Sequence, residues 1–232
     1  MIALTDFHTH ILPGVDDGSD SLERSLAMLQ KEREHGLRRV VLTPHFYPVQ
    51  DSPERFLRRR SDAFARLQDA VGEDGPELIL GAEVYYFSGI GDCDALSELT
   101  IGKKRFMLVE MPFASWTDTM FRDLENLYIK QNIVPIMAHL DRYIRPLSSG
   151  KIFRRLESMP VMVQANAEFF TNRSTSNWAM KLLRAGKIHL LGSDCHNTGS
   201  RAPNLGPALE LIQKRLGESA LETIEENEEQ VL

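Results

Sequence analysis

Leu4-Thr5-Asp6-Phe7-His8-Thr9-His10-Ile11-Leu12-Pro13-Gly14-Val15-Asp16-Asp17-Gly18 is the stretch from which the architecture can be read. Residues 4–9 form a short candidate for a buried strand, and His8 and His10 lie two apart on it. Side chains alternate between the faces of a strand, so both imidazoles point the same way. The strand runs into Pro13-Gly14 and Asp17-Gly18, turn chemistry that brings two carboxylates. Two imidazoles and a carboxylate converging at a strand's C-terminal end suit a divalent metal, since both are hard-to-borderline ligands. Alone, a His-x-His pair is more often two satisfied or surface histidines. The weight therefore rests on its company further along the chain.

Working outward, apolar β-rich runs alternate with helical patterns. Residues 21–35 predict a helix with Leu22, Leu26 and Leu29 on one face, ended by Gly36. Strand 39–43 stops at Pro44 and is followed at once by His45. A helix over 53–71 turns Phe56, Leu57, Phe64 and Leu67 inward, and its Arg55, Arg58, Arg59, Arg60 and Arg66 read as a solvated face, with a docking surface for an acidic partner as the alternative. Further strands are expected at 77–84, 106–110, 133–139, 161–165 and 188–192, with helices at 117–131, 151–159, 176–185, 207–216 and from Ser219 onward. The acidic end, Glu225-Glu226 and Glu228-Glu229, reads as a solvated helix terminus. Repeated strand-then-helix units imply parallel strands joined by right-handed crossovers. Seven of them predict a closed, distorted (β/α)7 barrel of the α/β class, with residues 1–232 as one domain.

The totals agree with that scale. The 232 residues suffice for one α/β barrel with a full core, and 42% hydrophobic with 26% charged residues is the balance of a soluble globular protein. No apolar run approaches the ~20 residues of a membrane span, so no membrane insertion is expected. The N-terminus lacks a basic region followed by a long apolar core, so no signal peptide is expected either. Two cysteines, Cys93 and Cys195, make no disulfide framework, which fits a reducing cytoplasm. A net charge of −6 argues against nucleic acid as a partner, because such binding relies on phosphate neutralisation.

On this scaffold His8, His10, His45, Glu83, Glu110, His139, Asp194 and His196 fall at or just past the C-terminal ends of predicted strands, and Asp17 lies in the first loop. In a barrel those ends meet at one mouth, where active sites of such folds occur. Five of the seven histidines belong to this set. Any one of these residues could be a satisfied core group. Nine carboxylates and imidazoles at one mouth need counter-charges, because burying unpaired charge is prohibitive. Two or three metal ions, bridged by Glu83 or Glu110, supply them.

The motifs His8-Thr9-His10, the loop 12–18, Thr43-Pro44-His45, Gly81-Ala82-Glu83, Glu110-Met111-Pro112-Phe113, His139-Leu140-Asp141-Arg142, Gln164-Ala165-Asn166 and Ser193-Asp194-Cys195-His196 together resemble the polymerase-and-histidinol-phosphatase (PHP) superfamily. Within it they are most similar to the bacterial capsule and exopolysaccharide tyrosine-protein phosphatases of the CpsB type. The resemblance implies a distorted seven-stranded barrel and a trinuclear centre, usually of manganese, with iron or zinc as other options. It implies His8, His10, Asp17, His45, Glu83, Glu110, His139, Asp194 and His196 as metal ligands, and Arg142 and Arg201 as phosphate-binding arginines. Ion pairing with a mouth carboxylate is the plainer role for either arginine. A hydroxide bridging two ions would attack phosphotyrosine on a bacterial tyrosine autokinase. Leu140, Phe46 and Glu168 depart from the commoner family pattern without removing a ligand. The same metals would serve a histidinol-phosphate phosphatase, and a non-catalytic metal-binding regulatory module is the alternative of another class.

Cys195, with Arg201 beyond it between a strand and a helix, also echoes the spacing of cysteine-dependent tyrosine phosphatases, in which a thiolate attacks phosphorus. If Asp194 and His196 both face the centre, alternation turns Cys195 away from it. Tyr85, Tyr86 and Phe87, just after Glu83, are candidates to border a substrate ring.

Overall fold

The structure is a computed structural model that describes residues 4–72, 75–102, 105–144 and 149–232. Its elements run β1 (Thr5–Thr9), α1 (Leu22–Glu34), β2 (Arg39–Leu42), β3 (His45–Phe46), α2 (Pro53–Val71), β4 (Glu77–Leu80), β5 (Glu83–Tyr85), β6 (Phe106–Glu110), α3 (Asp118–Gln131), β7 (Val134–Met137), α4 (Asp141–Ile144), α5 (Ser149–Leu156), β8 (Met162–Asn166), α6 (Ala167–Thr171), α7 (Ser176–Arg184), β9 (Leu190–Gly192), α8 (Leu205–Leu216) and α9 (Glu218–Val231). Among the described residues, no helix is long and apolar enough to cross a membrane.

Among the described residues these strands pair with one another in parallel, in the orders β1-β2-β4 and β3-β5-β6-β7-β8-β9, and a lone antiparallel bridge joins Ile101 to Phe106. Among the described residues, nine short strands trace seven staves. Pro44 has no N–H for the ladder, so one stave divides there into β2 and β3. Its neighbour divides at Gly81-Ala82, where the expected continuous strand 77–84 is interrupted; Gly81 N donates to Leu42 O at 2.9 Å and Glu83 N to Pro44 O at 3.1 Å across the two bends. The curled sheet meets itself beyond β9. Asp194 N donates to His8 O at 2.8 Å and His10 N to Cys195 O at 2.9 Å, joining the last stave to the first. Gly192 permits that approach: a Cβ there would lie 2.5 Å from the His8 Cβ.

Phe7, Val41, Leu108, Ile136 and Leu190 fill the interior of the curl, each 0% exposed. Val231 of α9 joins them, so the final helix closes the end of the barrel away from the mouth. A larger apolar layer lies between the sheet and its helices, with Met28 and Phe56 supplied from α1 and α2. Fully burying side chains of this size stabilises by about 1.5–3 kcal/mol each. Ser21 and Ser52 cap α1 and α2 by accepting from Arg24 N and Arg55 N.

Two charged groups contradict their surface reading. Arg60 is 6% exposed, because its guanidinium donates to Gly81 O and Glu98 O at 2.8 Å each and so holds α2 to the bend between β4 and β5. Glu228 is 1% exposed and accepts from Thr5 N at 3.0 Å, with Arg39 at 3.5 Å. The acidic helix end is therefore partly anchored beneath β1 rather than wholly solvated.

Candidate metal centre

The centre is built on β1, and a slip in the sheet aims it. Phe7 points into the apolar interior, so strict alternation would send His8 outward. The register of β1 against β2 shifts between Asp6 and Thr9, however, and this irregularity turns His8 and His10 together to the mouth. His8 Nε2 and His10 Nε2 stand 3.1 Å apart, and both face Glu83 Oε2, at 3.1 and 3.3 Å. Glu83, at the start of β5, is the hub. Its Oε2 also lies 3.0 Å from His45 Nδ1, and its Oε1 lies 2.9 Å from His139 Nε2. Glu110, at the end of β6, reaches His45 Nδ1 at 3.7 Å and His139 Nε2 at 3.6 Å.

Asp194 closes the opposite side, 3.7 Å from His8 Nε2, 3.4 Å from His10 Nε2 and 3.6 Å from His196 Nδ1. Asp17 stands at the outer edge, 3.8 Å from His45 and 3.5 Å from His196, with its side chain 70% exposed. His139 and Asp194 hold positive φ values of 31° and 55° without being glycine. Such backbone persists where surrounding packing over-determines it, and it clusters at functional sites.

All nine residues anticipated as ligands are thus brought to one mouth. Eight of them fall into three overlapping groups whose donor atoms lie within 4.8 Å of one another: His10, Asp17, His45 and His196; His8, His10 and Asp194; His45, Glu83 and Glu110. His139 adjoins the third through both glutamates. The donor set fits divalent ions. Metal–ligand bonds of about 2.0–2.2 Å place neighbouring ligand atoms about 3–3.5 Å apart, the spacing found around Glu83. Glu83 Oε2, Glu110 Oε2, His45 Nδ1 and His196 Nε2 are also buried without a hydrogen bond, the condition that a cation relieves.

The protonation pattern shows how the protein manages these groups. Burial alone would lower His8 and His10. The carboxylates outweigh it, Glu83 and Asp194 for His8 and Asp16 foremost for His10, so both are raised. Burial would raise Glu83 and Asp194, yet the imidazoles, His8 foremost, hold both well below the usual carboxylate range. Glu110 is pushed up to about 7 by burial and by the Glu83 charge. Burial and the neighbouring His10 push His196 down to about 4, which keeps it neutral and able to ligate.

Three supporting residues carry no role in the sequence reading. Asp16 Oδ2 accepts from His10 Nδ1 at 2.7 Å and from the His45 N–H at 2.9 Å, tying two candidate ligands to the first loop. Gln164 Oε1 accepts from His139 N at 2.6 Å and faces His8 Nδ1 at 3.3 Å. Asn166 Nδ2 donates to Asp194 Oδ2 at 3.1 Å. The period-2 spacing of Gln164 and Asn166 on β8 is the same signal that marks His8 and His10.

Arg142 and Arg201 both reach Asp194. Arg142 donates to Oδ2 and Arg201 to Oδ1 at 2.8 Å. Their plainer role, ion pairing with a mouth carboxylate, is the one seen, and it also holds two guanidinium groups beside the centre. Cys195 turns the other way, wholly buried in the apolar layer with its Sγ 3.8 Å from Glu32 Oε1. Burial and the Glu32 and Asp6 carboxyls raise its thiol well above the usual range. The thiolate that a cysteine nucleophile requires is therefore disfavoured.

Of the three aromatics after Glu83, Tyr86 donates to Asp123 at 2.7 Å and Phe87 packs on the core. Tyr85 faces Tyr47 across the mouth at 5.6 Å, and Tyr47 stacks on His45 at 4.9 Å. Among the described residues, clefts border the centre on two sides. One of about 720 Å3 runs from Asp17 and His45 past Tyr47 to α2, and one of about 350 Å3 lies against Phe113, Arg142 and Asn166.

Fold and site together define a parallel β/α barrel with a multi-ligand polar centre at the C-terminal mouth of its strands. A family model for capsular polysaccharide synthesis, CpsB/CapC, matches residues 4–232, and the chain belongs to that family. It is 29% identical over 231 residues to the tyrosine-protein phosphatase CpsB of Streptococcus pneumoniae, covering 92% of this chain and 91% of that protein. It is 24% identical over 238 residues to the tyrosine-protein phosphatase YwqE of Bacillus subtilis, covering 99% and 91%. A chain from the crystal structures of those two proteins, described as unique metal-dependent tyrosine phosphatases, superposes with a TM-score of 0.84 at 22% identity, covering 99% and 94%.

Proposed function

We propose that this chain is a metal-dependent protein-tyrosine phosphatase. The observation that carries the proposal is the meeting at one mouth of three groups of potential ligands, joined through His10 and His45, with two arginines held on Asp194. Relatives across nearly the full length are named tyrosine-protein phosphatases, which supports the reaction class. His8, His10, Asp17, His45, Glu83, Glu110, His139, Asp194 and His196 would hold the ions. A thiolate-free set of imidazoles and carboxylates suits manganese, and nine ligands exceed the need of one ion and suit three.

Bound ions would polarise the phosphoryl group and lower the pKa of water from ~15.7 toward ~7. The chain's own residues do the rest. Asp16 and Gln164 fix the orientation of His10 and His8. Arg142 and Arg201 present planar forks of donors that grip phosphate oxygens and keep their charge throughout. Phenolate leaves with a pKa of about 10, far below an alcohol's, so a tyrosyl ester makes little demand for a general acid.

The clefts on either side of the centre favour a residue within a protein over a small amino alcohol such as histidinol phosphate, which would leave both empty. Membership of a capsular polysaccharide family makes a bacterial tyrosine autokinase of that pathway the natural partner, and the two free cysteines accord with a cytoplasmic setting. The test is phosphate release by the manganese-loaded protein from a phosphotyrosyl peptide, a phosphoseryl peptide and histidinol phosphate. The reading expects the first to be turned over fastest by at least tenfold. Preference for histidinol phosphate, or no turnover of any of the three, would refute it.

A further inference from the structure

The larger cleft ends on a wall unlike the rest of this acidic chain. Arg55 and Arg59, one turn apart on α2, line it opposite Asp17 and His45. Asp51 lies between them and accepts from Arg55 Nε and, at 2.5 Å, from Arg59. Arg55 also donates to Gln50 O at 2.9 Å, and Arg59 to Val15 O at 2.8 Å, so both forks are held in place. Each guanidinium carries five N–H donors. These bonds leave donors of both free for the cleft, where the side chains are 62% and 45% exposed. The two arginines with one aspartate carry a single net positive charge. A protein of net charge −6 would otherwise repel an acidic substrate segment at long range.

Resting on the phosphatase reading, we propose that this wall recognises Asp or Glu residues of the substrate that flank the phosphotyrosine. The cleft is continuous with the metal centre through His45 and Asp17. A peptide whose phosphotyrosine reaches the centre therefore lays its neighbouring residues along the path to α2. Both forks already bind the Asp51 carboxylate, so their planar donors fit a carboxylate, and with Asp51 counted the wall keeps one net positive charge to draw in another. Tyr47, stacked on His45, forms the floor between the two ends.

The experiment compares kcat/KM for two phosphotyrosyl peptides, one with acidic and one with neutral flanking residues, on the manganese-loaded full chain. Wild type should prefer the acidic peptide by about fivefold at low salt, a size in keeping with partly exposed ion pairs, and less at high salt. Arg55→Gln with Arg59→Gln should bring that ratio to about one. Arg66→Gln, on the same helix but outside the cleft, should leave the ratio as in wild type. No acidic preference in wild type, or one that survives the double substitution, overturns the proposal. So does an equal loss in the Arg66 variant, which would mark the helix's overall field as the cause. A bis-phosphorylated peptide preferred above the acidic one also overturns it in favour of a phosphate-binding wall. Failure of every peptide to turn over would instead refute the phosphatase reading beneath it.

Discussion

Replacing Asp16 by Asn changes one oxygen to nitrogen at the place where the first loop holds the centre. Asp16 receives three donors: His10 Nδ1 and His45 N on Oδ2, and Gly18 N on Oδ1 at 3.0 Å. An amide has a single oxygen, so at least one donor would face an NH2 group. The carboxyl is pulled down to about 2 against its burial, chiefly by His10, from an ordinary value of 3.8. Nearly two units correspond to about 2–3 kcal/mol of net preference for the ionised form. Part of that remains when His10 is neutral and ligating, because the carboxylate fixes the tautomer that turns Nε2 to the centre. Loss of such outer hydrogen bonds costs about 10–100-fold in metal affinity, or about 1.4–2.7 kcal/mol. Manganese affinity, measured by competition with a fluorescent chelator, should therefore weaken by that factor while the thermal midpoint of the metal-free protein moves by only a few degrees. Unchanged manganese affinity in a folded Asp16→Asn protein would show that His10 does not depend on this contact.

Cys195→Ser should keep phosphatase activity within about tenfold, since the thiol faces the apolar layer and Glu32; a dead variant with intact metal content would restore the cysteine nucleophile. Arg201→Ala should lower kcat/KM on phosphotyrosyl peptide by roughly 10²-fold or more with the metals still bound, as checked by elemental analysis. Glu228→Gln should stabilise the fold at alkaline pH. Burial raises the Glu228 carboxyl from 4.5 to about 8, so its favourable contribution is full below pH 4.5 and is lost as pH rises through 8. The variant's unfolding free energy relative to wild type, from denaturant titrations, should rise between pH 5 and pH 9 by about 2–4 kcal/mol, and a flat difference would contradict the assignment.

The barrel and the gathering of imidazoles and carboxylates at its mouth were legible because both rest on local rules. Strand periodicity and the clustering of imidazoles and carboxylates at strand ends survive folding with little change. What escaped the sequence depends on neighbours distant in the chain. The strand break at Gly81-Ala82 reflects the bend at Pro44 on the adjoining stave, which no pattern in 77–84 announces. Arg60 looks like its four exposed companions until two carbonyls, from Gly81 and Glu98, are placed beside it. Glu228 sits in an acidic run of which it alone is buried, and the approach of the Thr5 N–H and Arg39 selects it. Asp16 and Asp17 are adjacent carboxylates in one turn, and periodicity cannot say which faces His10 and which the outer edge. Three minor helical segments, α4, α6 and the 3-10 turn at Asp94–Leu99, were too short to impose a period.

The central claim is that turnover depends on ions held by this mouth. Its direct test is phosphate release from a phosphotyrosyl peptide by the protein after exhaustive chelation, with metal content verified as nil, followed by titration with manganese. Activity should be absent in the stripped protein and return in proportion to bound manganese, more fully than with magnesium. Full turnover by metal-free protein would contradict the claim.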